Sequence, residues 1–225
     1  MSRFAHALLA VLAASAAAGA EAQSVSLTAT LTNAQEDRPG IPPTIPTLVG
    51  GAPRPVSSGF ATFLINDART SMSFSATINN IDFTGSQTAD PNDNLLNAHI
   101  HAGPTAVLGS TAPVVWGFIG TPFNDTNPTN VVVTPFASGV GGTVAGTWDA
   151  PEGQNTTFAA QLNFILAGAS YINFHTTQFP GGEIRGALIS TTPVPEPETY
   201  ALMLAGLGVL GGWARRRARS ASTAA

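Results

Sequence analysis

The chain has 225 residues, with 23 Gly and 17 Pro but a charged fraction of only 10%, a composition that excludes a helical bundle or coiled coil and favours short strands joined by turns. All nine basic residues are Arg, and residues 23–193 carry four of them against ten acids, a net charge of −6 that argues against a nucleic-acid partner. Cysteine is absent, which excludes disulfide staples and thiol chemistry, so this span of 171 residues must rely on its own hydrophobic core.

The N-terminus opens with Arg3, continues as an apolar run over 5–18 and ends in Ala20-Glu21-Ala22, the layout of a secretory signal peptide over residues 1–22. His6 lies inside it and drops out of any site. Beyond it, apolar residues alternate at period two through Val25, Leu27, Ala29 and Leu31, through Met72, Phe74, Ala76 and Ile78, and through Val140, Val144 and Trp148. Each run predicts a half-buried antiparallel strand. Residues 60–65, 114–118, 158–164, 171–175 and 184–189 are further strand candidates, and no stretch carries clear helical periodicity. Eight or nine strands separated by Gly, Pro and Asn turns predict an all-β antiparallel Greek-key sandwich or flattened barrel. Leu27, Phe74, Ile78, Ile100, Val144, Ile172, Phe174 and Leu188 are its expected core.

Two long connections interrupt the strands. Residues 38–55 hold six prolines, and residues 82–94 end in Asp90-Pro91-Asn92-Asp93-Asn94. Both are expected at the surface, the second as a solvated turn or, alternatively, a calcium loop without the glycine and glutamate of an EF-hand. Asn124-Asp125-Thr126 and Asn155-Thr156-Thr157 match glycosylation sequons, a match expected by chance.

Three histidines remain after the signal peptide. In Asn97-Ala98-His99-Ile100-His101 the strand period sets both imidazoles on one face, opposite Ala98 and Ile100, and in Tyr171-Ile172-Asn173-Phe174-His175 the third faces away from Ile172 and Phe174. All three are expected on the solvent side of their strands. Two residues two apart on one strand and a third on an adjoining strand can form a facial set for one Cu or Zn ion, with water at an open position. The same side chains also suit plain hydrogen bonding to neighbouring loops. Glu183 and Arg185 flank Ile184 and are expected on one face, pairing across to a neighbouring strand. No G-x-S-x-G, H-E-x-x-H or phosphate loop occurs, so no catalytic residue is assigned.

The segment AHIHAGP, the later YINFHTTQFPGGEIRGALI, the opening SLTATLTNAQE and the GFATFLI strand together resemble the CHRD domain, first described as a repeat in chordin, over residues 24–190. The resemblance implies no general reaction, so a binding or structural module of the cell envelope or extracellular matrix is expected ahead of an enzyme. A weaker resemblance, to the copper/zinc superoxide dismutases, implies a Greek-key barrel in which His99, His101 and His175 match copper ligands. The chain departs from that family in having no bridging histidine, no dense zinc loop and no cysteine pair.

The tail has three parts. Pro195-Glu196-Pro197 precedes an apolar run over 200–214, and Arg215, Arg216 and Arg217 follow it. This order resembles the PEP-CTERM sorting signal of exported bacterial proteins and sets residues 194–225 apart from a domain at 23–193. It implies processing by exosortase-type machinery, transient membrane anchoring through a short C-terminal hydrophobic helix, and a final place in the envelope or outside the cell, where an extracellular polymer is a possible partner.

Overall fold

The computed structural model describes residues 23–36, 43–191 and 204–213. The signal peptide, Pro195-Glu196-Pro197 and the arginine cluster lie outside the described residues. The chain divides into two units, residues 1–191 and 192–225.

The first unit is built on one antiparallel sheet. Its strands are β1 (Val25–Thr32), β2 (Ser58–Ile65), β3 (Met72–Asn79), β4 (Leu95–Ala102), β5 (Val114–Ile119), β6 (Val132–Pro135), β7 (Gly141–Trp148), β8 (Ser170–Thr176), β9 (Ile184–Ala187) and β10 (Ile189–Ser190). The lateral order is β5-β4-β8-β9-β1-β2-β3-β7-β6, with β10 added onto β1. Right-handed twist lets so wide a sheet curl until its two ends face each other, giving a flattened half-barrel. Phe74 on β3 accordingly meets Phe118 on β5 with ring centroids 4.9 Å apart, and Trp116 on β5 stacks on Trp148 of β7 at 5.9 Å.

Alternation explains most of these strands. On β3, Met72, Phe74, Ala76 and Ile78 point inward while the intervening residues are exposed, and β1 keeps the same rhythm. Every expected core residue is buried. Enclosing a large aliphatic or aromatic side chain contributes roughly 1.5 to 3 kcal/mol, which is how a chain without disulfides holds together.

Two elements differ from the sequence expectation. Residues 158–164 are not a strand but the start of helix α1 (Phe158–Leu166). Thr157 caps it by accepting a hydrogen bond from the Ala160 amide, and two Ala, Gln and Leu favour the helix over a strand. Phe158 and Ile165, seven apart and so on one helical face, are both buried, with Phe158 edge-on to Trp148 at 5.3 Å. The second addition is β6, an exposed edge strand paired only to β7. Residues 82–94 are the expected surface connection except at Asp82 and Asp93, which are buried. Asp82 is fully buried, and its carboxylate accepts hydrogen bonds from the amides of Thr84, Gly85 and Thr88. Burial pushes this carboxyl up, but the amides of Thr88, Thr84 and Gly85 together outweigh it and hold the pKa below the usual value.

In the second unit the described residues form helix α2 over 204–213. Among the described residues no helix is long and apolar enough to cross a membrane, so the expected membrane-spanning helix is not seen there.

Candidate metal centre

Strands β4 and β8 lie side by side, with Asn97 opposite His175, His99 opposite Asn173 and His101 opposite Tyr171. That register places His175 diagonally beside His99, within reach of long side chains on the same face. The three imidazoles converge as the strand period implies. Ring centroids are 4.9 Å apart for His99 and His175 and 5.8 Å for His99 and His101. One ligand nitrogen from each ring lies within 4.8 Å of one from each of the others, and these three form the only such cluster of His, Cys, Asp or Glu among the described residues.

Their surroundings differ from the expectation of a solvent-facing trio. His99, His101 and His175 are only 4%, 8% and 6% exposed, because the loops after β4, β5 and β8 fold back over this face of the sheet. Each loop supplies a main-chain carbonyl: Thr121 O lies 3.1 Å from His99 Nε2, Ala112 O 2.8 Å from His101 Nδ1, and Pro180 O 2.9 Å from His175 Nδ1. A carbonyl only accepts, so each of those nitrogens carries the hydrogen in its bond. In the neutral ring the other nitrogen must then hold a lone pair, namely Nδ1 of His99 and Nε2 of His101 and His175. His99 Nδ1 is buried without a hydrogen-bond partner, as is the side-chain oxygen of Asn97, while the Asn173 side chain lies against His101.

Burial disfavours the charged form of two of the rings. Burial pushes His101 down to about 4 despite its bond to Ala112, and the charges of His99 and Arg185 add to the fall. His99 is lowered as well, again chiefly by burial. Arg185 reaches the site through a stack: its guanidinium sits 4.4 Å from the Tyr171 ring centroid, and Tyr171 lies flat on His101 at 4.5 Å.

Sequence reasoning singled out the three histidines but not what supports them. Gly117 stands opposite His99 on β5, and a side chain there would strike the Pro122 carbonyl oxygen, 1.9 Å from the position of a Cβ. Its lack of a side chain is what lets the 120–122 loop close and bring Thr121 O to His99. A glycine inside a strand is the available signal for such close approach. Asn173 and Tyr171 gave no signal. Glu183 and Arg185 do not share one cross-strand partner: Glu183 forms a buried ion pair with Arg54 at 2.6 Å, reinforced by Ser57 and Thr176, while Arg185 donates to the carbonyls of Gln35 and Ser110.

Neutral nitrogen ligands whose second nitrogen is held by a backbone carbonyl are the usual support of a protein-bound transition metal. Zinc or copper bonds of about 2.0–2.1 Å need nitrogens roughly 3.3–3.5 Å apart, so binding requires the rings to draw together by about an ångström. No carboxylate joins the set, and the all-imidazole donors suit Cu and Zn better than calcium or magnesium.

An antiparallel half-barrel bearing histidines on adjacent strands defines a class of β-domain, and comparison with known proteins identifies it further. The family of the CHRD domain matches residues 27–188, so the chain belongs to the CHRD family. Residues 193–218 match the PEP-CTERM protein-sorting motif. No curated protein and no solved structure matches the chain. A CHRD domain followed by this motif marks an exported protein addressed to exosortase-type processing.

Proposed function

We propose that this is a metal-binding CHRD domain that works in the cell envelope or outside the cell, with His99, His101 and His175 holding one copper or zinc ion. The observation that carries the reading is the convergence of the three imidazoles: one ring nitrogen of each lies within 4.8 Å of one from each of the others, and three backbone carbonyls take one ring hydrogen each, which leaves every ring a nitrogen able to bind. The ion would act as a structural or binding centre. Residues 23–193 hold no further histidine to bridge a second metal, and little dismutase activity is expected.

The sorting motif supports export, and transient anchoring by the tail before release is part of the proposal. A structural role toward an uncharged extracellular polymer has its own support. The outward residues of β1, β2 and β3 include Thr28, Phe60, Thr62, Ser73, Ser75 and Thr77, a face of hydroxyls and one aromatic ring without a charge.

Metal analysis of the exported protein after loading with copper or zinc tests the main reading. About one ion per chain is expected, falling well below that in His99→Ala and in His175→Ala. Sub-stoichiometric binding that neither substitution changes would leave the histidines as loop braces and the domain as a surface module.

A further inference from the structure

We infer that the centre selects monovalent copper, Cu(I), over divalent zinc, an inference that rests on the reading of the three histidines as one metal centre. The argument is one of charge. Each ligand is a neutral imidazole, its hydrogen fixed on the nitrogen that faces a carbonyl. Among the described residues no Asp or Glu joins the cluster, so nothing anionic in it offsets an incoming cation. The charged side chain that does approach is Arg185, only 2% exposed, with its guanidinium on Tyr171 and Tyr171 on His101. A cation entering this pocket is therefore surrounded by neutral donors and faces a buried positive charge.

The cost of burying an ion rises with the square of its charge, so a divalent ion bears about four times the desolvation cost of a monovalent one of similar size. Repulsion from Arg185 doubles as well on going from one charge to two. Zinc in proteins meets this cost with thiolate or carboxylate ligands, or with a bound hydroxide. Here the protein donors are neutral, and the covering loops leave the imidazoles less than a tenth exposed. Cu(I) needs no anionic ligand, since its single charge carries the smaller burial cost, and imidazole is a competent copper donor.

Asn173 offers the means of inverting the preference. It faces the same pocket, directly opposite His99 on β8, with its side chain buried against His101. Asn173→Asp adds a negative charge with almost no change of shape.

The test is anaerobic titration of the exported protein with Cu(I) against bicinchoninate and, separately, with Zn(II) against a chromophoric zinc chelator. One Cu(I) per chain is expected, bound about a hundredfold or more tightly than Zn(II), with affinity lost in His99→Ala and His175→Ala. Asn173→Asp should narrow the Cu(I)/Zn(II) ratio by about tenfold or more, and Arg185→Gln should narrow it in the same direction. Circular dichroism establishes that each variant is folded, and the two variants alter the charge from opposite sides of the site. Zinc binding through the same histidines as tightly as Cu(I), or a ratio that neither charge variant moves, overturns the selection while leaving the metal centre intact. Failure of both ions to bind stoichiometrically overturns the centre itself.

Discussion

The outer face of β1, β2 and β3 and the outer face of β4 and β8 belong to one sheet and are written in the same alternating code, yet they meet opposite fates. On β3 every second residue is exposed, and Ser73, Ser75 and Thr77 stand in solvent. On β8 all seven residues are buried, Asn173 and His175 included. Alternation states which residues share a face, but it does not say whether that face is covered. The cover over β4 and β8 comes from loops, and it converts a polar stripe into a buried cluster of imidazoles, whereas the uncovered stripe remains a row of hydroxyls.

The largest test of this contrast removes a pin from the covered side. Glu183→Ala leaves Arg54 as an unpaired buried cation and should cost about 3–5 kcal/mol in denaturant unfolding. A loss below about 1 kcal/mol would mean that water reaches Arg54 and that the cover is looser than described.

Acid provides the next largest effect. The unfolded chain takes up protons on histidine near pH 6.5, but native His101 resists them until about 4. The unfolded state therefore binds more protons between these values, and stability must fall as pH drops through the window. His101 alone should remove about 3 kcal/mol from the metal-free protein by pH 4, with His99 adding in the same direction. Chemical denaturation at pH 7.5 and pH 4.5 checks it, and equal midpoints would show that the covered face takes up protons as readily as the open one.

A smaller effect is expected at Gly117. Alanine there must displace the 120–122 loop and should cost about 1–3 kcal/mol, with weaker copper binding because Thr121 no longer orients His99. Thermal melts and metal titration together test this, and unchanged copper affinity would remove Thr121 from the support of the site. On the open face Thr62→Ala should change stability by less than about 0.5 kcal/mol, and a larger loss in the same melts would erase the distinction between the faces.

The sequence pattern made the strands legible because a half-buried sheet imposes a period of two, and it made the His99–His101 pair legible because His-x-His on one strand cannot split its imidazoles between faces. Helix α1 was obscured because FAAQLNFIL also contains enough aromatic and branched residues to read as a strand, and its capping Thr157 sits among other threonines. The cover was invisible for a deeper reason: the groups that fix the three rings are main-chain carbonyls of Ala112, Thr121 and Pro180, and a carbonyl has no letter in the sequence. Only Gly117 left a mark, as a missing side chain.

The attachment of β10 has a mechanical consequence. This two-residue strand runs antiparallel to β1, pairing Leu27 with Ser190 and Thr28 with Ile189, and Thr191 donates to Ser26 O at 2.9 Å. Ser26 and Thr191 therefore lie side by side, at one pole of the domain. Force applied between the two ends opens these few bonds one after another, as a zipper, instead of loading them all in shear. Beneath them lies Leu188, fully buried, so the peeling halts at the core once two residues have come away. In an optical trap this would register as a short, low-force extension ahead of the main rupture.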